Sequence, residues 1–378
     1  MNEHILVKGA GPTGCLLSLG LSCNKYNVRL VDPKSQEEII ARNRAYALTH
    51  STKNYLNKIG LWTQIKEIAV KFSELEVIDV LNNFNINFAY KDLLYKETSN
   101  NAVGWIVDHK KFMSIIFTEI RKHNSINFIP NFTSNSLNDK QSIIFAADGP
   151  YSETRIRQGI KSYGYKYSQS CLTFQASLKG IANAKAYEIF RMEGPMAILP
   201  IGNSKFQIVW TAASKSCYER LKLSQSEFLA KIAEIMPYGI EPEYLLTERE
   251  VFPLKLSIAS RMSKHNLFLV GESAHTIHPI GGQGMNLCIR DIDKIVNLFN
   301  QRVDTAYGYN LIKINYNIIR YLDIIALALS TDLIVRIFST DNNFFVKARK
   351  LFLPIIKKSK LLKLIILKFM TYGLSTSS

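Results

Sequence analysis

With 378 residues the chain is long enough for two domains, and 47% hydrophobic against 21% charged residues is a globular composition, not a disordered one. A formal net charge of +16 points to anionic partners, lipid surfaces or anionic cofactors among them, or to a generally basic surface; no zinc-finger, RNA-recognition or basic-zipper pattern accompanies it, so nucleic acid is not the expected partner. Five scattered cysteines, Cys15, Cys23, Cys171, Cys217 and Cys288, form no C-x-x-C pair; they indicate neither a disulfide framework nor a zinc site and read as buried small hydrophobes in a reducing compartment.

Met1-Asn2-Glu3-His4 leads straight into Ile5-Leu6-Val7, without the basic and apolar regions of a signal peptide. Asp323, Asp332 and Arg336 interrupt the best candidate for a membrane span. The expectation is a cytoplasmic protein, at most peripheral on the inner face of the membrane.

In chain order, Ile5-Leu6-Val7 reads as a short buried strand, Cys15–Cys23 as an apolar helix and Val28–Val31 as a second strand. Helical signal resumes over Asn43–Leu61. From Leu75 to His109 the period shifts toward two, predicting strands at Leu75–Val80, Asn85–Tyr90 and Gly104–His109. Lys110–Lys122 is expected to be a helix with Phe112, Ile115, Ile116 and Ile120 inward. Ser142–Ala147 is an apolar strand that ends in the turn signal Asp148-Gly149-Pro150. Tyr163–Val251 is strand-rich, most clearly at Phe206–Thr211, and contains a helix at Ser224–Ile235 opened by a Ser-x-x-Glu pattern, Ser224 to Glu227. Asn266–Val270 is a strand running into Gly271, and helix predominates beyond Asp291. Alternation of α/β, strand-rich and α/β segments predicts two domains interwoven in sequence.

Gly9-Ala10-Gly11-Pro12-Thr13-Gly14 lies between a predicted strand and a predicted helix. Glycine is needed there where the backbone turns tightly and where it approaches a pyrophosphate closely. The pyrophosphate would rest on the free N–H groups of the helix start. Asp32, at the end of the second strand, is placed to accept from ribose hydroxyls. This loop alone predicts a dinucleotide without choosing between NAD and FAD.

Two later segments repeat the strand-to-turn theme: Ala146-Ala147-Asp148-Gly149-Pro150-Tyr151-Ser152-Glu153-Thr154-Arg155, and Gly271-Glu272-Ser273-Ala274-His275-Thr276-Ile277-His278-Pro279-Ile280-Gly281-Gly282-Gln283-Gly284-Met285-Asn286. Together with the first loop they resemble the three fingerprints of the single-component FAD aromatic hydroxylases (group A flavoprotein monooxygenases). The last is closely similar to the ubiquinone-biosynthesis hydroxylases of 2-polyprenylphenols. Further segments extend the resemblance over nearly the whole chain: Arg44–Thr49, Leu56–Trp62, Ala186–Phe190, Gly194–Pro200, Val209-Trp210, and Thr331–Leu333 with Arg336–Ser339.

The resemblance implies an α/β fold: a Rossmann-like FAD-binding domain (1–72, 103–160 and 255–305) interleaved with a strand-rich substrate domain (73–102 and 161–254), plus a C-terminal helical region (306–378). It implies that Gly9, Gly11 and Gly14, with Pro12 in the same loop, hold the FAD pyrophosphate, Asp32 the adenosine ribose, and that Arg44 sits near the phosphates. Asp148 and Gly149 belong to a motif assigned to both FAD and NAD(P)H. Glu272 stands where the family has an Asp, and the extra methylene shifts its carboxylate by more than about an ångström. Pro279 starts a stiff turn and is the expected catalytic position. Gly281, Gly282 and Gly284 leave room for a flat ring, and N–H groups around Gly284, Met285 and Asn286 would stabilise negative charge on a reduced flavin. His275 and His278 read as satisfied structural histidines; with no third ligand nearby, zinc is not expected.

The family's cycle is hydride transfer from NAD(P)H to FAD, O₂ capture as a C4a-hydroperoxide, and oxygen transfer to an electron-rich ring. Tyr187, Phe190, Met196 and Trp210 are the expected substrate-pocket residues. Lys357–Met370 is basic and strongly apolar, an amphipathic helix that either packs on its own domain or docks on an anionic membrane holding a prenylated substrate. Competing expectations keep the flavin fold but make the chain an isoprenoid reductase or epoxidase, or a non-catalytic subunit of a quinone-biosynthesis complex; isolated Trp62, Trp105 and Trp210 argue against halogenation.

Overall fold

The computed structural model describes residues 4–93, 100–132, 142–181, 184–301 and 306–374; the extreme ends, Met1–Glu3 and Ser375–Ser378, lie outside them. Apolar runs at five places in the first 270 residues form a parallel sheet. Its strands lie side by side in the order Leu267–Leu269, Ile143–Ala146, His4–Lys8, Asn27–Val31, Ile126–Ile129, with the two-residue strand Ser263–Lys264 antiparallel at one edge. Ile5, Leu6 and Val7 are buried on both faces, as continuous apolar strands of a parallel sheet must be. His4–Lys8 is central, and the chain leaves it first to one side and later to the other. Open α/β sheets bind ligands at such a switch point, beyond the carboxyl ends of the strands.

A second, mostly antiparallel sheet runs in the order Phe84–Ala89, Glu74–Asp79, Lys185–Arg191, Gly194–Gly202, Lys205–Ala213, Ser162–Lys179, Glu250–Ala259, His275–Thr276, with Glu241–Leu245 paired beside Ser162–Lys179. Glu74–Asp79 and Lys185–Arg191 are its parallel pair. Two helices, Ser214–Leu221 and Gln225–Ala233, cover one face, over a core that includes Phe174, Ile189, Ile198, Phe206 and Phe228. The expected capping box forms: Ser224 N–H donates to Glu227 at 2.8 Å, and Glu227 N–H to Ser224 Oγ at 3.3 Å.

Three expectations are corrected. Asn43–Leu61 is not helical throughout: Ala45–Leu48 is a strand, paired antiparallel with Gly104–Asp108, and the helix occupies His50–Lys58. A partner from a distant segment overrides local propensity there. Four cysteines are buried, but Cys23, at the end of its helix, is exposed. Lys357–Met370 is not one helix: Asn343–Lys358 and Lys360–Tyr372 meet at Ser359, whose side chain caps the second by accepting from Leu362 N–H at 3.2 Å. Leu353 and Leu367 on these helices pack onto Phe72, Ile86 and Phe88.

The long helix Ala306–Phe338 is tied to the parallel-sheet domain by buried charge. Asp291, on the helix Gln283–Asn300, faces His275 Nε2 at 2.6 Å and accepts from Arg320 Nε at 2.7 Å and Gly271 N–H at 2.9 Å. Arg320 also donates to Asp323 at 2.6 Å, and Arg290 to Asp323 at 3.1 Å. Burial alone would raise the Asp291 carboxyl; His275 and Arg320 hold it down instead, at about 2. Its stabilisation is therefore full above the ordinary carboxylate range and is lost as pH falls from about 4 through 2. D291N leaves Arg320 without this partner and should cost about 3–5 kcal/mol at pH 7. Urea denaturation at pH 7 and pH 3 checks this; the gap between wild type and variant should narrow at the lower pH.

Candidate active site

Four segments singled out in the sequence leave the carboxyl ends of neighbouring parallel strands: Gly9–Gly14 after His4–Lys8, Asp32 after Asn27–Val31, Asp148-Gly149 after Ile143–Ala146, and Gly271-Glu272 after Leu267–Leu269. The fold thus gathers at one edge what the sequence separates by more than two hundred positions.

In the first loop the glycines have different jobs. A Cβ on Gly14 would collide with the Gly9 carbonyl oxygen, and one on Gly9 (φ +103°) with the Ala147 carbonyl. These two let strand, helix and the neighbouring strand close together. Over Gly11 there is nothing within 4 Å, so its backbone faces open space. Gly11 caps the helix, Pro12 opens it, and Cys15 N–H makes the first intrahelical bond, to Gly11 O at 3.0 Å. The Thr13 and Gly14 N–H groups precede that bond, as orphan donors of a first turn do. Asp32, 8% exposed, accepts from Ala10 N–H at 2.7 Å and Lys34 N–H at 2.9 Å, so its carboxylate braces the loop.

Asp148 Oδ2 accepts from Thr154 N–H at 3.1 Å, while its Oδ1 is buried and unpartnered; Gly149 follows at φ +82°. Buried Arg155 donates to Ser273 O at 2.6 Å, and Ser273 Oγ to Ala146 O at 2.6 Å, locking the second motif to the third. Glu272 is exposed, and it lies with Arg44 in the electrostatic surroundings of Tyr46. The Arg44 guanidinium sits 4.7 Å from the Phe252 ring centre.

The third motif turns through Pro279 (φ −71°) into Gly281 and Gly282, both left-handed at φ +63° and +62°, and Gly282 caps the helix Gln283–Asn300. Two successive left-handed residues favour glycine, and Pro279 O accepts Gly282 N–H at 3.0 Å. Gly284, like Gly11, has nothing within 4 Å of its Cβ direction. The Met285 side chain packs on the main core. Asn286 staples this helix start to the first half of the chain: Oδ1 accepts from Thr49 N–H and Thr52 Oγ1, and Nδ2 donates to Ala47 O.

Residues 142–304 match the FAD binding domain family. The chain is 25% identical over 400 residues to the ubiquinone hydroxylase UbiL of Rhodospirillum rubrum, covering 98% of this chain and 89% of that protein. It is 24% identical over 325 residues to the 3-demethoxyubiquinol 3-hydroxylase of Escherichia coli, covering 81% of each. Its fold superimposes on p-nitrophenol 4-monooxygenase from Pseudomonas putida with a TM-score of 0.77 at 15% identity, over 97% of both chains. Over nearly its whole length the chain is thus similar to FAD-dependent monooxygenases of the ubiquinone-hydroxylase type. The open backbone over Gly11 and Gly284, the first-turn N–H groups and the orphaned Asp148 Oδ1 are features that the dinucleotide of such an enzyme fits.

In the antiparallel sheet, strand alternation divides the residues expected to form a pocket. Tyr187, Met196 and Trp210 point into the second core, away from the glycine turns. Trp210 is 1% exposed, donates Nε1–H to Glu193 at 2.9 Å and lies under Arg220. Of the four, Phe190 alone faces the third motif, packed with Ile280 and Val335 and stacked on Phe338 at 4.0 Å. Period two explains the correction: residues 187 and 189 share one face of the strand, 188 and 190 the other. Between them lies a residue the sequence reading passed over. Glu188 is 7% exposed, and its Oε2 accepts from Gly281 N–H at 3.3 Å. Burial pushes its carboxyl up, against the pull of that N–H, to about 7.

His275 is satisfied by Asp291, but His278 is not: it is buried, neither ring nitrogen has a partner, and its ring meets Tyr167 edge-on at 5.3 Å. Burial lowers its pKa to about 4, only partly offset by Asp332, so the ring is neutral at pH 7. No sequence signal separates these two histidines, because both occupy one motif and differ only in what folds over them.

The loop contact supplies a direct test of the monooxygenase site. G14A forces the helix away from the Gly9 carbonyl and should cost about 2 kcal/mol or more. The purified variant should retain less than about a tenth of the wild-type flavin absorbance, because 1.4 kcal/mol is a factor of ten in binding. G11A, facing open space, should fold with near wild-type stability and lose flavin selectively; equal unfolding of both would contradict the assignment.

Proposed function

We propose that the protein hydroxylates the aromatic ring of a phenolic, prenylated quinone precursor, using NAD(P)H and O₂. The observation that carries this reading is the convergence of three glycine turns at the switch point with a wall of the antiparallel sheet, bearing Phe190 and Glu188, set against the third turn. The ubiquinone-hydroxylase names of its relatives supply the substrate class.

In this reading Gly9, Gly11 and Gly14 admit the pyrophosphate to the first-turn N–H groups, while Asp32 braces the loop and lies toward the ribose. Arg44 and Glu272 flank the phosphate and ribityl portions, and Asp148-Gly149 serves FAD and nicotinamide in turn. Pro279, Gly281, Gly282 and Gly284 form the bare backbone against which the ring system lies, and the N–H groups that open the helix Gln283–Asn300 face its pyrimidine end. Bound FAD supplies the transfer of electrons from NAD(P)H and the activation of O₂. The chain's part is to position the phenol beside Phe190 and Ile280 and to keep water out. The purified protein should be yellow and should oxidise NAD(P)H faster when a prenylphenol is added. Mass spectrometry should find one oxygen added to the ring; NAD(P)H consumption without that product contradicts the proposal.

A prenylated substrate resides in a bilayer, and an exposed face suits docking there. Among the described residues no helix is long and apolar enough to cross a membrane. Along Ala306–Phe338, however, Leu311, Ile314, Ile318, Leu322, Leu329 and Leu333 are 40–61% exposed at spacings of three, four and seven, which puts them on one helical stripe. Arg261, Lys264, His265 and Lys313 line a groove beside Ile314 and Ile318, a cationic rim matched to anionic headgroups. The stripe therefore replaces the run after Lys357, part of which is core, as the proposed membrane contact. L322E combined with L329E should reduce co-sedimentation with anionic liposomes at least about tenfold, given the cost of burying charge in lipid. Flavin content should stay unchanged.

A further inference from the structure

Five carboxylates are buried among the described residues: Asp32, Asp79, Glu188, Asp291 and Asp323. Four are held by two or more partners. Asp32 accepts two backbone N–H groups, Asp79 pairs with Asn82 and Arg349, and Asp291 and Asp323 share the Arg320 network. Glu188 has one, the Gly281 N–H, at the long distance of 3.3 Å. A buried carboxylate left that short of partners is costly to a fold, and such groups concentrate where chemistry needs them.

Its position is specific. Strand register places Val77 on one side and Ala197 on the other, so no neighbouring strand offers it a charge. Charged groups on the surrounding elements are engaged elsewhere: Glu76 with Lys185, Asp79 with Arg349, Arg191 with Glu193, and Asp332 with Arg336. The third-motif turn packed against it contributes His278, which is neutral, and the Gly281 N–H. Phe190, on the same face two residues on, packs against Ile280 of that turn. Glu188 thus stands where the antiparallel sheet meets the glycine turn, the place the hydroxylation reading reserves for the phenol.

We propose that Glu188 is the proton acceptor for the ring hydroxyl of the phenolic substrate, an inference that rests on that reading. The phenol O–H bond breaks, the proton bonds to the Glu188 carboxylate oxygen not engaged by Gly281, and the bonding pair stays on the phenolate oxygen. The ring carbons ortho and para to it become more electron-rich, which is what oxygen transfer to the ring requires. After oxygen transfer the substituted ring carbon releases its C–H proton to solvent, the C–H electron pair restores aromaticity, and the proton held by Glu188 returns to the phenolate oxygen. No electrons enter or leave in either step. A carboxyl titrating close to neutrality is matched to this exchange, since a general base works best with a pKa near the operating pH.

The test compares wild type with E188Q, whose amide oxygen still accepts from Gly281 N–H. With FAD bound, the variant should keep its flavin content and its NAD(P)H oxidation. Its rate of prenylphenol hydroxylation at pH 7 should fall about 10²–10⁴-fold, the range of general-base catalysis, with KM little changed, and the rise of kcat with pH toward 7 should disappear. A second readout needs no cofactor. The folded carboxyl titrates near 7 against the ordinary 4.5, so the folded chain holds this proton across that window. Wild type should lose stability relative to E188Q as pH rises from 4.5 to 7, and the difference should then stay level. Undiminished hydroxylation by E188Q, or a stability difference constant across the window, overturns the role of Glu188. A wild type that oxidises NAD(P)H but hydroxylates no phenol overturns the substrate reading and this inference together.

Discussion

The contact between Gly14 and the carbonyl of Gly9 is the constraint on which the site depends. A helix can begin directly over the end of a strand only if neither residue at the crossing carries a Cβ. With that crossing closed, the strand Ile143–Ala146 lies against His4–Lys8, and Ala147 O occupies the remaining space over Gly9. The second motif is thereby brought to the first. Arg155 and Ser273 then bind the third motif to the second. Backbone clearance at two glycines propagates through the sheet into a cradle assembled from three distant segments.

A second constraint acts from the other side. The helix Gln283–Asn300 carries Asn286 near its start and Asp291 one turn further on. Asn286 is committed to Thr49, Thr52 and Ala47, and Asp291 to His275, Arg320 and Gly271. With both ends of its first turns held, the left-handed pair Gly281-Gly282 has little freedom, so the turn meets the antiparallel sheet in one arrangement. These buried polar groups give the turn a unique position more than they give the chain stability, since paired buried charges lose much of their gain to desolvation.

Much of this was legible in the residues. Unbroken apolar runs between glycine turns indicate parallel strands because both faces are covered, and the Ser224–Glu227 cap follows from a local pattern. Departures arise where a distant partner outweighs local preference. Ala45–Leu48 reads as helix but pairs with Gly104–Asp108, and the basic run after Lys357 reads as one amphipathic helix but breaks at Ser359 and packs against Phe72 and Phe88.

The linear chain by itself determined the cofactor class and the three turns, because glycine, proline and strand-end acids at fixed spacing respond to backbone geometry that is local. Only the tertiary structure decided which face of each strand meets the turn. A strand presents opposite faces at successive residues, and composition does not say which face a neighbouring sheet will cover. Hence Tyr187, Met196 and Trp210, chosen for their chemistry, became core, while Glu188, an unremarkable acid in a strand, arrived at the Gly281 backbone with one partner.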